Sequence, residues 1–224
     1  MTSFKSIFLY FIVLLAPMGV IAQYNDLGLW QNLTLEKKIN QKWIAHISER
    51  VRFNNNISQL YYIDCDMGIT YRLNKKIHFS LDYVYIDRLS STQQFGSRHQ
   101  YYFNIVAKKK WNNLSLSYRG MIQMEYRQFL SSENGLVPDF IERNKFTLKY
   151  KTPFFTPYLA SEIYLQLTGP YAMLFNRNRY FVGTFYQLNK VDELEFYFLY
   201  EHNYMNVNPP QKYVIGIGFS HTFY

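Results

Sequence analysis

Beyond its first two dozen residues the chain alternates between apolar and polar side chains. In one stretch Tyr61, Ile63, Cys65, Met67, Ile69, Tyr71 and Leu73 are separated by Asp64, Asp66, Gly68, Thr70 and Arg72. Ile77, Phe79, Leu81, Tyr83 and Tyr85 alternate with His78, Ser80 and Asp82 in the same way. So do Leu114, Leu116, Tyr118, Ile122, Met124 and Tyr126 with Ser115, Ser117, Arg119, Gln123, Glu125 and Arg127. A period of two belongs to an extended strand with one apolar face. Eleven such segments are predicted, near 26–37, 42–53, 59–73, 77–88, 98–110, 114–128, 139–150, 157–167, 179–188, 193–203 and 212–223.

A soluble β-sandwich alternates too, so the period alone does not settle the class. Segment length does more. These segments run to the ~9–11 residues or more that a tilted membrane strand needs, whereas soluble strands average about five or six. Tyr, Phe and Trp gather at the segment ends, as interfacial girdles would. The connections alternate between short ones, such as 74–76 and 111–113, and longer ones, such as 129–138 and 203–211. Short periplasmic turns and long external loops are the signature of a transmembrane barrel. The expectation is an all-β fold, an antiparallel transmembrane β-barrel of about ten to twelve strands in the bacterial outer membrane. Bacterial single-chain barrels have even strand counts. Eleven segments therefore imply either a missed strand or a first segment that is not a full wall strand. Glu49 is a misfit, on the same face as Ile47 and Val51. A bulge or a position at headgroup level would accommodate it.

Composition supports this reading. Aromatic residues make up 20% of the 224, with 22 Tyr, 19 Phe and 3 Trp, far above ordinary usage. Residues 1–22 read as a cleaved signal peptide: Lys5 precedes an apolar run from Ile7 to Ala16, and Val20-Ile21-Ala22 ends the segment, so the barrel domain would begin at Gln23. Cys65 is the single cysteine, which excludes an intramolecular disulfide. The net charge is +8, but the lysine clusters (37, 38 and 42; 75 and 76; 108–110; 149 and 151) fall where one segment ends and the next begins. That spacing fits turns facing lipid headgroups better than a nucleic-acid surface. The expected partners are outer-membrane lipid and, during biogenesis, the barrel assembly machinery.

Several short stretches also resemble the domain of unknown function 2490 family, predicted outer-membrane barrels common in Bacteroidetes. They are Leu29-Trp30, Glu49-Arg50-Val51-Arg52, Tyr71-Arg72-Leu73, Tyr118-Arg119 with Glu125 and Arg127, Pro157-Tyr158 with Glu162, the stretch Asn176 to Gly183, and the closing aromatic strand. The resemblance spans nearly the whole mature chain. It implies a fold and a location and no mechanism.

Candidate chemistry lies on the polar faces. Arg50, Arg52, Arg72, Arg119, Glu125, Arg127, Arg143, Glu162, Arg179, Glu195 and Glu201, with Asp64 and Asp66, are expected inside the barrel. Charges in so narrow a lumen must be paired or hydrated. One outcome is an Arg–Glu network that stiffens the barrel, and the other is a path for a polar ligand or ion. His46 with Ser48, and His78 with Ser80 and Asp82, invite comparison with lipid deacylases that use a His-x-Ser arrangement. Asp82 lies about 13 Å along the strand from His78, and Arg50 and Arg52 follow His46. Neither pair is therefore expected to be catalytic, and both histidines are expected as lumen polar groups. No metal-ligand spacing, phosphate loop or nucleotide motif occurs, and no cofactor is expected. The reading favoured by the sequence is a structural or small-solute transport barrel with a charged lumen. A membrane-embedded lipid hydrolase is the alternative.

Overall fold

The computed structural model describes residues 25–127, 137–169, 172–204 and 211–224. The signal-peptide segment and the start at Gln23 lie outside them. All eleven predicted segments are strands: β1 Asn25–Lys38, β2 Trp43–Asn54, β3 Gln59–Arg72, β4 Ile77–Leu89, β5 Phe95–Trp111, β6 Leu114–Arg127, β7 Asp139–Tyr150, β8 Phe155–Gln166, β9 Phe175–Gln187, β10 Asp192–Asn203 and β11 Gln211–Phe223. Each pairs antiparallel with its sequence neighbour, and β1 meets β11 to close a barrel.

The closing pair is parallel, in register from Asn25↔Gln211 to Lys37↔Phe223. This corrects the expectation of an even count. The first segment is a full wall strand, paired with β2 from Leu29↔Phe53 to Lys38↔Ile44. In an up-and-down meander with an odd number of strands the first and last run the same way, so only a parallel ladder can seal it.

The alternation becomes two faces. Leu33, Ile47, Met67, Ile69, Leu81, Phe103, Ile122, Phe146, Leu159, Val182, Phe198 and Ile217 are exposed on the outside. Aromatic rows bound this band. Toward the long-loop end Tyr180, Tyr200 and Tyr213 pack side by side in register across β9, β10 and β11. Trp43 packs on Tyr71 at 4.8 Å at the short-turn end. Glu49 faces outward without any bulge, opposite Cys65, which in turn faces Tyr85. Its row across the sheet carries Leu33, Cys65 and Tyr85.

A bulge does occur two steps further on. The β2–β3 register runs Arg52↔Tyr62 and then Phe53↔Leu60, which leaves Tyr61 unopposed. Its side chain packs with the lumen residues around Tyr62, and its hydroxyl accepts a hydrogen bond from Lys212 Nζ at 3.0 Å. Tyr61 is thus not on the outer face where strict alternation puts it, because an inserted residue flips the local parity.

Part of the interior is packed as a core. Val84 and Ile86 are fully buried with Tyr62, Tyr102 and Met121, and Leu199 and Val214 are fully buried with Trp30. Burial of each aliphatic side chain contributes about 1.5–3 kcal/mol. These clusters occupy cross-section that water would otherwise fill.

Candidate lumen site

Charged side chains line the rest of the interior, and most of their pairing follows the strand register. Arg50 donates from Nε to Asp64 Oδ1 at 2.7 Å and from Nη2 to Asp66 Oδ2 at 3.1 Å. Arg98 donates to Glu125 at 2.7 Å, and Gln100 and Gln123 donate to the other carboxylate oxygen of Glu125. Arg179 donates to Glu201 at 2.5 Å and to the hydroxyl of Tyr164. Glu162 is the hub. Its Oε1 accepts from Arg119 at 2.6 Å and from Arg143 at 2.9 Å, and its Oε2 accepts from Tyr164 Oη at 3.1 Å. Arg119 is on β6 and Glu162 on β8, so this bond spans the strand between them.

The remaining predicted members behave differently. Glu195 accepts from Tyr158 Oη at 2.6 Å. Arg127 pairs with Asp139, but its side chain is 60% exposed at the loop rim. Among the described residues Arg72 makes no ion pair, and its Nε is buried without a partner. Arg52 also has no carboxylate within 4.0 Å. Its guanidinium lies over Trp30 at 4.3 Å and Tyr62 at 4.1 Å. Lys145, not singled out in the sequence, sits inside β7 with its ammonium 4.0 Å from the Phe181 ring and no ion pair. Alternation along β7 would have placed it there, since Ile141, Arg143 and Lys145 share a face.

These groups surround a cavity of about 220 Å³ lined by Arg50, Arg52, Arg119, Arg143, Lys145, Arg179, Glu162, Glu195, Trp30, Tyr158, Phe181 and Tyr197, among others. Two glycines make room for it. Gly183 and Gly216 oppose Tyr197 on β9 and β11, and a Cβ at Gly216 would overlap the Tyr197 ring. The ring therefore lies flat along the wall and leaves the centre free. Six cations and two carboxylates line this chamber. Asp64, Asp66 and Glu201 answer Arg50 and Arg179 from outside the lining, whereas Arg52 and Lys145 have no carboxylate within 4.0 Å and lie over aromatic faces, Lys145 across from Glu162 on the next strand. A cation–π contact is worth about 0.5–2 kcal/mol and does not cancel charge. With Asp64, Asp66 and Glu201 counted, six cations face five carboxylates, and the chamber keeps a positive excess.

The serine–histidine pairs do not form. Ser48 Oγ bonds Thr34 Oγ1 at 2.9 Å, and Ser80 Oγ donates to Asp82 Oδ2 at 2.7 Å. His46 has acidic company that its own strand lacks: its Nε2 lies 3.1 Å from Asp82 Oδ1 and 3.6 Å from Asp66 Oδ1. The sequence-based picture of His46 as a neighbour of cations is therefore corrected. Arg50 is engaged by Asp64 and Asp66, and the groups nearest His46 are carboxylates.

A closed strand meander with an apolar exterior and an ion-paired, partly hollow interior defines a porin-like β-barrel. The chain belongs to the family described as protein of unknown function (DUF2490), whose model matches residues 27–213. Among solved structures it is similar to the NanC porin, with a TM-score of 0.55 at 16% identity, covering 88% of this chain and 97% of that one. It is also similar to the translocator domain of the autotransporter NalP from Neisseria meningitidis, with a TM-score of 0.45 at 10% identity, covering 74% of this chain and 70% of that one. No curated protein matches.

Proposed function

We propose that this protein is an outer-membrane barrel that admits small anionic solutes into its lumen. The observation that carries the reading is the chamber lining, where cations outnumber carboxylates and two of them, Arg52 and Lys145, face the cavity with no carboxylate within 4.0 Å. In a confined, low-dielectric space an uncompensated positive charge attracts anions far more strongly than in bulk water. The rings of Tyr158 and Tyr197, both in the lining, offer apolar surface to the body of an organic anion. Membrane placement is supported by the exposed apolar belt, its aromatic borders and the leader-like first 22 residues.

Reconstitution in a planar bilayer under a potassium chloride gradient tests the proposal. The expected reversal potential shows chloride preferred over potassium, with Lys145→Glu together with Arg52→Glu moving it toward potassium. A cation-preferring wild-type pore, or a barrel that conducts nothing and binds no anion, would overturn it.

A further inference from the structure

We propose that His46, Asp66 and Asp82 form a lumen site for a divalent transition-metal ion such as zinc. The three residues stand on β2, β3 and β4, and their donor atoms all lie within 4.8 Å of one another. Two ligands about 2.1 Å from a tetrahedral zinc are themselves about 3.4 Å apart. The observed Nε2–Oδ1 separations of 3.1 Å to Asp82 and 3.6 Å to Asp66 bracket that edge.

The surroundings orient the donors. Each carboxylate has its second oxygen occupied. Arg50 Nη2 donates to Asp66 Oδ2, and Ser80 Oγ and Asn104 Nδ2 donate to Asp82 Oδ2. These bonds turn Oδ1 of both residues toward His46, as the outer shell of a metal site does. Asp66, only 9% exposed, keeps Oδ1 buried with no hydrogen bond within 3.5 Å, His46 Nε2 at 3.6 Å being its polar neighbour. A buried carboxylate oxygen in that condition is costly unless a cation meets it. Between the residues lies Gly68, the register partner of both His46 and Asp82. A Cβ at this position would overlap Asp82 Oδ1 and His46 Cε1. The glycine therefore keeps clear the space in which the donors converge. His46 retains 18% side-chain exposure, so a fourth ligand position opens toward lumen water. One neutral imidazole and two carboxylates match a divalent charge and suit zinc-like ions.

Detergent-extracted barrel, stripped with EDTA and titrated calorimetrically with zinc, is expected to bind one ion. His46→Gln and Asp82→Asn are expected to lower the affinity by about tenfold or more, and Gly68→Ala to lower it while leaving all three ligands in place. His78→Gln and His221→Gln are expected to leave it unchanged. The cobalt-loaded wild-type protein is expected to show the intense visible bands of a four-coordinate site, a readout that requires no variant to fold. Absence of stoichiometric zinc, zinc binding that survives His46→Gln in a folded barrel, or a cobalt spectrum like that of the hexaaqua ion would overturn the proposal.

Discussion

Glu162 shows how much a single residue can hold in this lumen. It is 1% exposed and serves Arg119 and Arg143 from one oxygen, with Lys145 directly opposite on the neighbouring strand. Removing the carboxylate leaves two guanidinium groups without their shared partner, and stranding a buried charge costs about 3–5 kcal/mol. Glu162→Ala is expected to lower the temperature at which the detergent-solubilised barrel loses its heat-modifiable gel mobility. Glu162→Gln, which keeps a carbonyl acceptor, is expected to fall between it and the wild type. An unchanged transition in the alanine variant would show that lumen water replaces the carboxylate. The inward placement of Glu162, Arg119 and Arg143 was legible from alternation alone. Their convergence was not, because Arg119 reaches over a whole strand to find its partner.

The strands themselves were largely legible, since amphipathic alternation over a dozen residues has no competing helical reading. β3 carries the clearest example. Ile69 is 40% exposed on the outer face, while its neighbour Thr70 points inward. An arginine at the lipid face costs about 2–4 kcal/mol at the bilayer midplane and less toward the interface, where Tyr71 lies two residues on. Ile69→Arg is therefore expected to reduce the folded fraction recovered in membranes, and Thr70→Arg to be much milder. Equal recoveries would contradict the assigned faces. Elements also set the bore. Gly216→Ala would push the Tyr197 ring off the wall of β11, and a reduced single-channel conductance is expected without loss of folding. Alternation misses Tyr61, because a bulge depends on how two strands mate and leaves no mark in the period of either.

The closing seam belongs to the molecule as a whole. Gln31 on β1 and Ile217 on β11 are register partners separated by nearly the entire chain. In a Cys65→Ser background, Gln31→Cys with Ile217→Cys is expected to form a disulfide that speeds migration on a non-reducing gel. Failure to cross-link in the folded protein would deny the parallel closure. By itself the sequence determined the all-β class, the eleven segments, the face that side chains take outside the bulge at Tyr61, and the charged character of the lumen. Those properties are local: they follow from a period of two and from the unwillingness of charge to enter an apolar medium. Only the tertiary structure decided that the strand count is odd and the seam parallel. The same holds for the partners of each cation, for the two chamber cations left without a close carboxylate, and for the approach of His46 to two aspartates across Gly68. These depend on register and on the curvature of the closed wall, which bring together residues that no spacing along the chain relates.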